Sequence, residues 1–152
     1  MNKLKIFIEL TRLNKPIGFM LLFWPCAWGL MLAYSYNAEI NLLTKHIFLF
    51  FLGSILMRSA GCVFNDIVDK DFDEKVQRTK KRPIASGKIS IISAFGYIVL
   101  LCSLSLIILL QFNWLTIKLG IGSMILAFAY PFMKRFTYWP QLFLGLTFNW
   151  GI

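Results

Sequence analysis

Long charge-free stretches constrain this chain more than any other feature. Residues 16–38 carry no charge, 46–65 carry only Arg58, and both 89–117 and 136–152 carry none. Crossing a bilayer takes about 20 mostly apolar residues. In lipid a single segment satisfies its own backbone hydrogen bonds as a helix. The expected fold is therefore all-α, a multispan transmembrane helical bundle. Its complete helices are expected near Ile17–Tyr36, Ile47–Phe64, Ser90–Leu110 and Trp114–Phe132, with the start of a fifth near Tyr138. Hydrophobic residues make up 58% of the chain, above the roughly 45–50% of soluble domains. Pro25 falls inside the first helix and is expected to kink it, which membrane helices tolerate. Gln111, Asn113 and Trp114 alone mark the boundary between the third and fourth helices.

The net charge of +9 is not a nucleic-acid signature here, because its distribution has another cause. Thirteen of the 16 Lys and Arg residues fall in three places: 3–15, 70–88 and 134–135. The two opposite loops hold only Lys45 and Lys118. That alternation follows the positive-inside rule with the N-terminus on the cytoplasmic (or matrix) side. A bacterial inner membrane or a mitochondrial inner membrane fits equally. Trp24, Trp28, Trp114 and Trp139 suit interfacial belts. Glu9 and Arg12 interrupt the early apolar run, so no signal peptide is expected. Cys26, Cys62 and Cys102 lack metal-site spacing and read as small buried residues without a disulfide. His46, the lone histidine, has no specific role in this reading.

Five of the seven acidic residues lie between Asp66 and Glu74. A helix advances about 100° per residue, so Asn65, Asp66, Asp69 and Asp73 fall within an arc of about 100°. Arg58 and Cys62 project onto the same arc, whereas Asp71 and Glu74 point elsewhere. Carboxylates gathered on one face repel each other unless a cation joins them. Mg²⁺ takes such hard oxygen ligands, typically one or two carboxylates plus substrate phosphates. A basic loop follows, with Arg78, Lys80 and Arg82 ahead of the helix breakers Pro83 and Gly87. An acidic face beside a basic loop can hold Mg²⁺ and a diphosphate together. Alternatively, the loop cations only set topology and touch anionic lipid. An intramembrane arginine is costly unless paired, and Asp66 or Asp69 are the expected partners of Arg58. A second cluster, Tyr130–Arg135, ends the fourth helix on the same side, so Lys134 and Arg135 are placed to face the same anion.

Taken together these segments resemble the UbiA superfamily of intramembrane aromatic prenyltransferases along almost the whole chain. The resemblance rests on Arg12-Leu13-Asn14-Lys15-Pro16-Ile17-Gly18, Leu22-Phe23-Trp24-Pro25 and Met57-Arg58-Ser59-Ala60-Gly61-Cys62. It rests further on Asn-Asp-x-x-Asp-x-x-x-Asp at 65–73, Arg78-Thr79-x-x-Arg82-Pro83 and Tyr130-Pro131-x-x-Lys134-Arg135. The details are similar to the branch that prenylates 4-hydroxybenzoate for ubiquinone synthesis. The resemblance implies a helical membrane fold, normally of nine helices, in which Mg²⁺ bridges a polyprenyl diphosphate between two Asp-rich motifs. It implies that Asn65, Asp69 and Asp73 carry the metal with Asp66 nearby, and that Arg135 meets the diphosphate. Arg58, Arg78, Lys80, Arg82 and Lys134 are the further substrate-binding candidates.

The second Asp-rich motif is absent, since nothing after Glu74 is acidic. Residues 1–152 are therefore expected to form one transmembrane domain, the N-terminal part of such an enzyme and catalytically incomplete without its C-terminal half. Two other readings stand beside it: a prenyltransferase with a different acceptor (heme, homogentisate or naphthoate), or a non-catalytic membrane fragment that binds lipid diphosphate. The CDP-alcohol phosphotransferases require an Asp-Gly-x-x-Ala-Arg run, which this chain lacks.

Overall fold

The structure, a computed structural model, describes residues 3–37 and 40–150; the side chains of residues 35–37, 134 and 135 lie outside the description. Every regular element described is helical: α1 (Lys3–Thr11), α2 (Ile17–Asn37), α3 (Ile40–Val68), α4 (Lys70–Asp73), α5 (Ile91–Leu109), α6 (Trp114–Phe136) and α7 (Pro140–Asn149). Four of them, α2, α3, α5 and α6, are long and apolar enough to cross a membrane. The all-α multispan bundle expected from the charge-free stretches is what forms, with α7 as the fifth element.

The helix ends have local causes. Asn113 caps α6, its side-chain oxygen accepting from the Thr116 amide at 2.8 Å, and Ser90 caps α5 by accepting from the Ser93 amide at 3.2 Å. Each satisfies an amide that a helix start leaves unpaired. Pro140 opens α7 at the first-turn position, where its missing N–H is not needed. Pro25 lies within α2, which continues through it. Gly87 sits at φ +69 in the turn before α5, a left-handed conformation in which glycine has no Cβ to clash.

The central helix is α3, which touches α1, α2, α4, α5 and α6. Its buried positions include Ser54, Ser59, Ala60 and Cys62, and α5 answers with Ala94 and Ser105. Small residues let membrane helices approach closely, where packing rather than hydrophobic transfer holds them together. The outer faces stay apolar: Ile92, Leu115 and Ile125 are largely exposed, as lipid contact requires.

Two ends of the bundle are pinned differently. At one end His46 stacks on Phe112, 5.3 Å between ring centroids, and Phe50 meets the same ring at 4.6 Å, tying the start of α3 to the α5–α6 turn. At the other end lies the best-buried core: Leu10, Val63, Ile84, Ala94 and Ile98. Leu10 comes from α1 and Ile84 from the basic loop, so both segments are docked under the acidic motif. The helix α1 was not among the expected elements. It is too short to be stable alone and is held by burying Leu10 and Thr11.

α3 is also longer than expected, running from Ile40 to Val68 rather than from Ile47 to Phe64. Lys45 and Asp66 do not end it, because a polar residue does not break a helix.

Candidate functional site

The site is built where α3 ends. The helical course on which residues 65–73 were projected is interrupted at Asp69, whose φ of −90° and ψ of 5° fall outside helical values. Hydrogen bonding nevertheless carries on across the break. The Asp69 amide donates to the Asn65 carbonyl at 2.9 Å and the Asp73 amide to the Asp69 carbonyl at 2.8 Å. The acidic residues thus keep a roughly helical sequence of directions while α4 starts anew.

Asn65, Asp69 and Asp73 line one wall of a pocket of about 330 Å³. Arg78, Thr79 and Arg82 line another, and Phe72 and Val76 complete it. The Asn65 amide nitrogen donates to Asp69 Oδ2 at 3.1 Å, fixing the orientation of the amide. Arg82 Nη1 lies 2.6 Å from Asp73 Oδ2. The Thr79 hydroxyl donates to the Asp73 carbonyl at 3.1 Å, which folds the basic loop back onto α4. Asp71 and Glu74 are exposed, and Glu74 pairs with Lys70 at 3.7 Å outside the pocket.

The donor chemistry suits Mg²⁺ shared with phosphates. Asn65, Asp69 and Asp73, all with hard oxygen donors, line the pocket, yet no group of three or more His, Cys, Asp or Glu among the described residues could hold a metal ion. Mg²⁺ commonly binds in that way, through one or two carboxylates with waters and substrate phosphates completing its shell. The arginine wall offers the forked donors that phosphate oxygens accept. The residues therefore fit a cation bound together with a diphosphate better than a closed protein cage.

Asp66 is placed differently from its three companions. It does not line the pocket, is 2% exposed, and has its Oδ1 between two guanidinium groups, Arg12 at 2.5 Å and Arg82 at 3.2 Å. Arg12 follows α1 and holds a left-handed backbone conformation, φ 56°. Sequence reading placed Arg12 among the topology charges and did not connect it to the site. Its position 54 residues before Asp66 leaves no local signal. The motif Arg78-Thr79-x-x-Arg82-Pro83 gives Thr79 no role by itself, and its buried hydroxyl supplies one.

Arg58 does not pair with Asp66 or Asp69, contrary to expectation, and among the described residues it forms no ion pair. Asp66 and Arg58 are eight residues apart, about 12 Å along a helix, beyond the reach of one side chain. Arg58 instead lies over the Phe148 ring of α7, 5.7 Å from its centroid. It also packs against Gly18 of α2, where a Cβ would stand 2.7 Å from Arg58 Nε. Lys80 is exposed and outside the pocket wall. Lys134 and Arg135 belong to the last turn of α6, and their side chains lie outside the described residues. A second hollow, about 380 Å³ along α7 between Gln141 and Trp150, has no charged group in its lining.

The chain is similar to known proteins along most of its length. The chain is 52% identical over 150 residues to the mitochondrial 4-hydroxybenzoate polyprenyltransferase of Caenorhabditis elegans, covering 97% of this chain and 41% of that protein. It is 48% identical over 151 residues to the 4-hydroxybenzoate octaprenyltransferase of Vibrio campbellii, covering 99% and 52%. The chain thus spans about half or less of the length of these curated relatives. A solved apo structure of a UbiA homolog from Aeropyrum pernix K1 superposes with a TM-score of 0.71 at 25% identity, over 84% of this chain and 45% of that one. Residues 22–152 match the UbiA prenyltransferase family, and with the helical membrane bundle and its acid-lined pocket in place, the chain belongs to that family.

Proposed function

We propose that this chain forms the part of a prenyltransferase site that binds Mg²⁺ and a polyprenyl diphosphate, for transfer of the prenyl group to the ring of 4-hydroxybenzoate in ubiquinone biosynthesis. The observation that carries the reading is the pocket in which Asn65, Asp69 and Asp73 face Arg78 and Arg82. A ligand that suits such a pocket carries both signs of charge, as a magnesium diphosphate does. The donor and acceptor are taken from the names of the relatives.

In that reaction the allylic C–O bond breaks and its electron pair leaves with the diphosphate. The ring carbon ortho to the phenol hydroxyl bonds to the allylic carbon and then loses its proton. Bound Mg²⁺ would supply positive charge to the leaving oxygens. Arg78 and Arg82 donate to the same oxygens and need no reorganisation as charge develops there. Asn65, Asp69 and Asp73 would hold that cation and through it set the position of the diphosphate end. Arg58 lies seven residues before Asn65, about 10 Å deeper along α3, a separation suited to the carboxylate of an aromatic acceptor whose ring meets the prenyl carbon in between. Arg135 is assigned to the diphosphate, with Lys134 and Lys80 as further candidate cations. The prenyl tail and the apolar helix faces share the bilayer.

Titration of the detergent-solubilised chain with farnesyl diphosphate tests the reading. Binding is expected with Mg²⁺ and should fall at least tenfold when EDTA removes it. Equal affinity in both conditions would reject the metal–diphosphate pocket.

The same reading puts the N-terminus, the basic loop and the end of α6 on the cytoplasmic or matrix side, which the thirteen-to-two split of basic residues supports. Single cysteines at positions 75 and 134, in a chain lacking Cys26, Cys62 and Cys102, should both react with an impermeant maleimide from that side. Labelling from opposite sides would reject the orientation.

A further inference from the structure

The residue that the metal-site geometry leaves unexplained is Asp66. It is the most deeply buried acid described, 2% exposed, whereas the pocket-lining Asp73 is 7% exposed. A buried carboxylate is costly unless it is paired and hydrogen-bonded. Asp66 achieves this with two arginines from different segments: Arg12 beyond α1, and Arg82 in the basic loop. Arg82 in turn reaches Asp73 at the pocket wall. The result is a chain of alternating charge, Arg12–Asp66–Arg82–Asp73, running from the buried side of the motif into the pocket.

The geometry points to Asp66 as a positioning residue, which acts by holding Arg82 at the pocket wall and is not a metal ligand. This inference rests on the proposed binding of a magnesium diphosphate. Arg82 has two anchors that differ in kind. Asp73 lines the pocket and would be drawn toward bound cation, loosening its hold on Arg82. Asp66 is outside the pocket and keeps its hold whatever the pocket contains. A guanidinium tethered from behind remains beside the phosphate oxygens without having to be ordered as the ligand arrives, and prior ordering of a long side chain favours binding.

Arg12 completes the device. With Asp66 alone, the carboxylate behind Arg82 would cancel its charge, the pair summing to zero. The second arginine leaves the three-residue group with a net charge of +1, favourable to an anion. Arg12 is held for this by the buried end of α1, where Leu10 is 0% and Thr11 2% exposed. Its left-handed backbone, φ 56°, is a conformation that non-glycine residues adopt only at a cost. That local strain is offset by a contact at the site.

The test compares diphosphate affinity and magnesium dependence in the full chain. Farnesyl diphosphate is titrated at a series of Mg²⁺ concentrations into the unmodified chain and into Asp66→Asn, Arg82→Gln, the double variant of these two, and Asp69→Asn. Loss of a charge-assisted hydrogen bond is worth about 1.5–3 kcal/mol, so Arg82→Gln should weaken binding about 10- to 100-fold. Asp66→Asn should weaken it about tenfold, and the double variant should be no weaker than Arg82→Gln alone. The Mg²⁺ concentration for half-saturation should stay within about twofold in Asp66→Asn and rise in Asp69→Asn.

A purely structural role would lower the unfolding temperature without this coupling in affinity. If Asp66→Asn fails to fold, Arg12→Met combined with Asp66→Asn removes both members of the buried pair and leaves no excess charge. The same loss of diphosphate affinity is expected from it. Additive losses, or a rise in half-saturating Mg²⁺ as large as that of Asp69→Asn, would overturn the inference alone. Absence of diphosphate binding by the unmodified chain would overturn the proposed function and the inference with it.

Discussion

Asp73→Asn and Asp69→Asn are each expected to weaken Mg²⁺-dependent prenyl diphosphate binding by about a hundredfold or more, while Asp71→Asn changes it by less than about twofold. The substitutions are nearly isosteric, so what they remove is charge. Asp69 and Asp73 lie on the pocket wall with Asn65, and Asp71 is exposed on another side of α4. With metal and diphosphate bound, each carboxylate would be one partner of a charge pair shielded from water; removing one partner of such a pair costs about 3–5 kcal/mol, which is more than two decades of affinity if it appears in binding. Asp73 carries an added burden because its carboxylate also holds Arg82 at 2.6 Å. Its variant should therefore unfold at a lower temperature than the unmodified chain as well as lose the ligand. Titration in detergent with and without Mg²⁺, beside thermal unfolding of each variant, separates the two effects. Comparable losses at all three positions would show that only total acidity matters and would remove the basis for a directed pocket.

The fold class was legible because its cause is local: uninterrupted apolar stretches of bilayer length leave few alternatives. Element ends were less legible. Lys45 and Asn65–Val68 look like exits from a membrane, but α3 continues through them, since no proline, glycine or competing cap stops it. The helix α1 left no signal of its own, because its stability comes from Leu10 entering a core built with Val63, Ile84, Ala94 and Ile98. Tertiary burial of that kind is invisible to a local pattern.

The acidic motif shows how far a helical projection reaches. Spacing of four put Asn65, Asp69 and Asp73 on one side and Asp71 elsewhere, and the pocket wall has that composition despite the break at Asp69. Projection grouped Asp66 with them because one residue is only about 100° away. It could not know that two arginines, one of them 54 positions upstream, would meet that carboxylate from behind. The projected pairing of Arg58 with the acids neglected distance along the axis, for a shared face does not bring residues two turns apart into contact.

Arg58→Met is expected to lower affinity for 4-hydroxybenzoate about 10- to 100-fold while leaving prenyl diphosphate affinity within about twofold. The side chain keeps much of its length and loses its charge and its donors. Arg58 sits in a membrane-spanning helix and, among the described residues, faces no carboxylate. It rests against Gly18 and over the Phe148 ring. A cation in such a place is expensive, and contact with an aromatic face returns only about 0.5–2 kcal/mol. A carboxylate-bearing acceptor would complete its pairing with charge-assisted hydrogen bonds worth about 1.5–3 kcal/mol, the source of the expected loss. Because Arg58 is about 10 Å from Asn65 along α3, the diphosphate end should not feel the change. Gly18→Ala offers an independent approach. The new methyl would meet Arg58 Nε at 2.7 Å, displacing the guanidinium without removing it, so acceptor affinity should fall in the same direction by less. Competition of 4-hydroxybenzoate against benzoate and phenol in the same titrations identifies the group recognised. Benzoate should lose its advantage over phenol in Arg58→Met if the guanidinium meets the carboxylate. An unchanged preference, or an equal fall in diphosphate affinity, would move Arg58 out of the acceptor site and into the packing between α2, α3 and α7.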